Sequence, residues 1–113
     1  MITVIEGFEK YIEPQSKTNL VLEEQRLYRF DNNFGASIIF HKGSYGFEDG
    51  LIEIAVIRWS EDGKNCSLTY DTEITDDVIG YLTQEQAKDI LEKIKKLEDN
   101  HEVIKKYWAW QWR

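Results

Sequence analysis

The run LIEIAVIRW, Leu51 to Trp59, constrains the fold of this chain more than any other stretch. Successive side chains of a strand point to opposite faces. Ile52, Ile54 and Val56 therefore share one face, and Leu51, Ala55, Ile57 and Trp59 share the other. A strand apolar on both faces must be covered on both, which places it inside a sheet rather than at an edge. Its neighbours are legible on either side. FGASIIFH, Phe34 to His41, is rich in β-branched and aromatic residues and reads as a partner strand. Asp31-Asn32-Asn33 supplies the turn that joins it to a preceding strand around Leu27, Tyr28 and Phe30. Downstream, SEDGKN carries Asp62-Gly63, a hairpin signal, and Cys66 to Tyr70 returns as the antiparallel neighbour.

A helix follows. Thr83 and Gln86 have the capping-box spacing, in which side chains at both positions satisfy each other's unpaired amides. Ala87, Ile90, Leu91, Ile94 and Leu97 form one apolar stripe, with Glu85 and Asp89 near its start and Lys93, Lys95 and Lys96 near its end. Asp99-Asn100 offers a break before a short second helix, and Ile104 equally allows the first helix to continue. Before it, Thr75 or Asp76 is suited to cap a short turn over Val78 and Ile79 that Gly80 would end. Together these elements predict an α+β fold, an antiparallel meander of about four strands with a C-terminal helix packed on one face. The 113 residues fit a single domain. Residues 1–25 form an N-terminal segment in which ITVIEGFEKYI reads as a strand or a short helix. Residues 26–82 form the sheet, and 83–113 the helix and a tryptophan-rich tail.

Composition excludes more than it assigns. Fourteen Lys and Arg face 21 Asp and Glu, a formal charge of −7, which argues against a protein that grips nucleic-acid phosphates. No apolar run approaches the ~20 residues of a membrane span. The N-terminus places Glu6 and Glu9 where an export signal would be basic and then apolar. One cysteine, Cys66, cannot form an internal disulfide and suits a reducing compartment, so the cytoplasm is the expected location. The acidic charge is unevenly spread. Residues 51–82 hold 2 basic and 7 acidic side chains, a net −5, whereas residues 83–113 hold 7 and 6, a net +1.

Four groups of residues invite a functional reading. The loop KGSYGFEDG, Lys42 to Gly50, holds three glycines and presents Tyr45, Phe47, Glu48 and Asp49. It lacks the Gly-Lys-Ser/Thr ending of a phosphate-binding loop, and its two acids would repel an anion, which leaves a wide loop with aromatic anchors for a partner. An acidic region runs through Glu61, Asp62, Asp71, Glu73, Asp76 and Asp77. It is a solvated face, a connector built from turn-forming residues, or a surface for a basic partner. Asp71, Asp76 and Asp77 also raise a divalent-metal reading, although their spacing matches no EF-hand. Trp108, Trp110 and Trp112 alternate in the tail KKYWAWQWR. Extended, they share one face that either covers the core or forms an interface, including one between two copies of the chain. Cys66 and His41 are the formal nucleophile and base, but nothing in their positions brings them together.

The stretch from Phe34 to Leu97 resembles a group of small uncharacterised proteins of phages and prophages of Gram-positive bacteria. The residues that carry the likeness are FGASII, GSYGFEDGLIEIAVI and YDTEITDDVIGYLT. The resemblance implies a phage or prophage setting and transfers no catalytic residue. The expectation is a non-enzymatic accessory protein, without cofactor, that binds a host or phage protein through its acidic surface. A self-associating module using the tryptophan tail and a metal-dependent enzyme using Asp71, Asp76 and Asp77 are the alternatives.

Overall fold

The computed structural model of the chain describes residues 2–14, 23–69, 72, 74 and 77–98. Five strands and one helix follow in order: β1 (Glu24–Arg29), β2 (Phe34–Phe40), β3 (Ile52–Trp59), β4 (Cys66–Leu68), β5 (Ile79–Leu82) and α1 (Gln84–Lys95), with short 3-10 turns at Glu9–Tyr11 and Phe47–Asp49. All pairings are antiparallel, and β1 to β4 lie side by side in chain order. This is the α+β meander expected from the sequence, with α1 packed over β2, β3 and β5.

Strand β3 is central, and seven of its eight residues are buried. One edge pairs with β2. The other is shared, because β4 pairs with Ile57 to Trp59 and β5 with Ile52 to Ile54. The capped turn expected over Val78 to Gly80 is therefore corrected: Ile79 and Gly80 open a fifth strand. The physical reason is that β4 stops at Leu68, and the remaining backbone groups of β3 are buried and need partners. Between Leu68 and Ile79 the chain advances 11 positions while β3, from Ile57 to Ile54, advances 3. The two pairings therefore cannot belong to one continuous edge strand.

The core lies between the sheet and α1. Tyr28 and Phe30, Phe34, Ala36 and Ile38, and Ile52, Ile54 and Val56 meet Ala87, Leu91 and Ile94 of the helix. Ile5 and Phe8 complete it from the N-terminal segment, so residues 2–12 serve as a strap across the same core. The reading of that segment as strand or short helix resolves to turns and the single 3-10 turn at Glu9–Tyr11. The Thr83–Gln86 capping box forms as expected: the Gln86 amide donates to the Thr83 hydroxyl, and the Thr83 amide donates to Gln86 Oε1.

Four polar fastenings hold these layers. The Tyr28 hydroxyl, fully buried, donates to the Thr3 carbonyl at 2.6 Å and accepts from the Ile5 amide at 3.0 Å. Beside it Glu24 accepts from the Thr3 hydroxyl at 2.6 Å and from the Ile2 and Thr3 amides, with Arg26 Nη1 at 3.4 Å. Burial pushes the Glu24 carboxyl up, but the hydrogen bonds from Thr3 and Ile2 and the charge of Arg26 outweigh it and hold the group below its ordinary value. At the other end of the sheet, Asn32 Nδ2 donates to the carbonyls of Ile94, Lys95 and Leu97, closing the C-terminal turn of α1. On the far face of β3, Trp59 Nε1 donates to the Tyr28 carbonyl at 2.9 Å by passing over Gly35.

Two outcomes follow from this packing. A Cβ at Gly35 would stand 1.8 Å from the Tyr28 carbonyl oxygen and 2.7 Å from Trp59 Nε1. Gly35→Ala should therefore lower the unfolding free energy by about 3 kcal/mol or more in urea denaturation; a loss under ~1 kcal/mol would show that β1 can move aside. Burial raises the Tyr28 hydroxyl to about 12. The folded state then keeps its proton longer than the unfolded chain, whose tyrosines titrate near about 10. This contribution is intact below about pH 10 and falls by roughly 2–3 kcal/mol as pH rises toward about 12. In Tyr28→Phe, urea midpoints at about pH 9 and pH 11.5 should lack that component, and the variant should start about 1–3 kcal/mol less stable because Thr3 and Ile5 lose their partner.

Candidate functional site

The loop between β2 and β3 is built to hold Tyr45 outward. The Ser44 amide and hydroxyl both donate to the His41 carbonyl, at 2.9 and 2.7 Å, and the His41 amide donates back to the Ser44 hydroxyl. This compact turn ends the strand and starts the loop. The Tyr45 amide donates to Oε1 of Glu53 at 3.1 Å, so a largely buried carboxylate of the central strand positions the loop backbone. The Tyr45 carbonyl in turn accepts from the Tyr81 amide at 3.1 Å, which joins the loop to β5.

Two glycines allow that approach. Gly46 takes φ 99°, and a Cβ there would lie 2.9 Å from Leu51 Cβ and 3.0 Å from Tyr81 Cα. A Cβ on Gly80 would lie 2.3 Å from Tyr45 Cβ. The result is a pair of tyrosines whose ring centroids are 6.3 Å apart and tilted by 33°. Tyr45 is 57% exposed and Tyr81 59%, in a molecule whose other described large aromatic side chains are buried or half-buried. Tyr81 also takes φ 56°, a left-handed conformation that costs a non-glycine residue roughly 1–2 kcal/mol. The register shift between Ile52 and Ile54, where β5 meets β3, accompanies it.

Glu48 and Asp49 lie on the 3-10 turn, both exposed, and line one open depression of about 300 Å³ with Tyr45, Gly46, Phe47 and Tyr81. Phe47 is only half-buried and stacks on Phe40 with centroids 4.7 Å apart, so it supports the loop from below. Of the loop residues singled out from sequence, Tyr45, Glu48 and Asp49 face solvent together, and Phe47 anchors them. Tyr81 is the residue that sequence reasoning missed. It lies within the YDTEITDDVIGYLT run, but its neighbour Tyr45 is 36 positions earlier, and only the β5–β3 pairing brings them together.

The acidic residues do not gather with that rim. Glu61 and Asp62 sit in the β3–β4 turn, at the opposite end of β3, roughly 25 Å away along an eight-residue strand. Asp62 accepts from the Ser60 hydroxyl at 2.6 Å and the Lys64 amide at 3.0 Å, and those bonds hold its carboxyl below its ordinary value. It shapes the turn. Asp77 is exposed and its Oδ1 accepts the next amide, that of Val78, at 2.7 Å. Asp71, Glu73, Asp76, Trp108, Trp110 and Trp112 lie outside the described residues. Among the described residues, no group of three His, Cys, Asp or Glu side chains is arranged to hold a metal ion. Cys66 opens the exposed edge strand β4 beside the C-terminal end of β3, and burial pushes its thiol up. His41 follows the opposite end of β2, so the pair is separated by the length of the sheet.

No family model matches the chain, and no curated protein or solved structure matches it significantly. No described helix is long and apolar enough to cross a membrane.

The strain at Tyr81 sets up a direct test. If the exposed ring adds little to the fold, Tyr81→Asn or Tyr81→Gly should leave stability within about 1 kcal/mol of the parent, or raise it, since both residues accept left-handed angles. Thermal denaturation measures this. A clear loss in both variants would mean that the ring is a packing element.

Proposed function

We propose that the chain is a small phage or prophage accessory protein that works by binding a host or phage protein, without catalysis. The contact surface is the rim formed by Tyr45, Tyr81, Glu48 and Asp49. One observation carries this reading: two large aromatic side chains stand exposed beside two carboxylates, on a backbone that glycines and a buried carboxylate hold in place. Exposed tyrosines with a fixed backbone supply contact area at small entropic cost, which is why such residues dominate protein interfaces. The resemblance of Phe34 to Leu97 to phage and prophage proteins supplies the setting, and the net charge of −7 favours a basic partner surface.

The reading separates the rim from the rest of the acidic charge. Glu61 and Asp62 lie at the far end of β3, where Asp62 shapes the turn through Ser60 and Lys64. The test is capture from host lysate on immobilised full-length chain, at about 50 mM and about 500 mM salt, since the higher concentration screens exposed charges. The expected result is a protein retained at low salt, released at high salt, and lost on a Tyr45→Ala, Glu48→Gln, Asp49→Asn variant of unchanged stability. Retention that is indifferent to that variant would place the contact elsewhere.

A further inference from the structure

The rim has a chemistry narrower than "basic partner". The ring faces of Tyr45 and Tyr81 carry the negative side of an aromatic quadrupole, and more than half of each residue is exposed. Glu48 and Asp49 add formal negative charge within the same depression. No basic side chain lines that depression among the described residues. What fits both features is a flat cation that can lie on a ring and donate paired N–H groups to a carboxylate. A guanidinium does both, being planar, weakly hydrated and forked. An ammonium meets the carboxylates only as a hydrated point charge and gains less from the rings. The open depression, about 300 Å³ in volume, has room for one such side chain.

We propose that Tyr45, Tyr81, Glu48 and Asp49 form a docking point for an arginine side chain presented by the protein partner. The inference rests on the reading of this rim as a protein contact, and adds the residue type it selects. Tyr81 is the specificity element in this arrangement. Its left-handed backbone sets the ring beside Tyr45, with more than half of the residue exposed.

The experiment titrates full-length chain with a tetra-arginine peptide and, separately, a tetra-lysine peptide of equal charge, by calorimetry and by the ring resonances of Tyr45 and Tyr81. The arginine peptide should bind about fivefold or more tighter and shift both rings, in keeping with a cation–π contribution. Tyr45→Leu and Tyr81→Asn should each bring the two peptides to equal affinity, and Glu48→Gln with Asp49→Asn should weaken both. Equal affinities on the parent chain would overturn the proposal, as would a preference that survives both tyrosine variants or an absence of binding by either peptide. A lysate partner that needs the rim but shows no arginine preference leaves the protein-binding reading standing and removes this one. An arginine preference on the parent chain that both tyrosine variants abolish supports the docking point even where the lysate yields no captured protein.

Discussion

The hydroxyl of Tyr28 is fully buried, and the arrangement of the chain around it follows from that. A buried phenol without partners would cost a few kcal/mol, so its donor and its acceptor site must both be filled from the protein. The strap fills them with the Thr3 carbonyl and the Ile5 amide. This places Ile5 and Phe8 over the core and brings Thr3 to Glu24. The carbonyl of the same residue receives Trp59 from the other side of the sheet. One residue of β1 therefore ties the N-terminal strap, the core and the end of the central strand together. Its neighbours Glu24 and Arg26 extend the polar contact, and each apolar layer is positioned by a satisfied polar group beside it.

The shared edge of β3 is what creates the candidate site. One strand running along this edge could have paired with the whole length of β3. Instead β4 ends after three residues and β5 takes up the vacant half, with Tyr81 bonded to the Tyr45 carbonyl. The glycines at 46 and 80 are required at this point because backbone approaches backbone and side chain too closely for a Cβ. The exposed tyrosine pair is thus a by-product of pairing economy in the sheet, kept at the expense of a left-handed residue.

Much of this was legible in the sequence, and the parts that were not share a cause. The alternating apolar faces of Leu51 to Trp59, the Asp62-Gly63 turn, the Thr83–Gln86 box and the stripe from Ala87 to Ile94 are local patterns, and each appears where its periodicity or spacing put it; the helix ends at Lys95, before Leu97. Val78 to Gly80 misled because three residues carry too little periodicity to distinguish a turn from a strand, and the pairing is settled by β3, more than 20 positions earlier. The strap of residues 2–12 was ambiguous for the same reason: its conformation answers to Tyr28 and Glu24 rather than to its own pattern. At the site, the loop tyrosine could be chosen as an exposed anchor from Gly-rich surroundings alone. Tyr81 could not, since its significance depends on a neighbour from a distant part of the chain.

Asn32 has a consequence for how the two ends of α1 are held. Its amide group holds the last carbonyls of α1 across a separation of 62 to 65 residues. A helix of 12 residues is marginal in isolation. Its first turn closes on itself through Thr83 and Gln86, but its last turn is completed by a side chain from the β1–β2 hairpin. The two ends of α1 are therefore stabilised differently: the start by its own residues, and the end by a hairpin in register. Such coupling between remote segments raises the cooperativity of unfolding, since release of the hairpin turn also frays the helix.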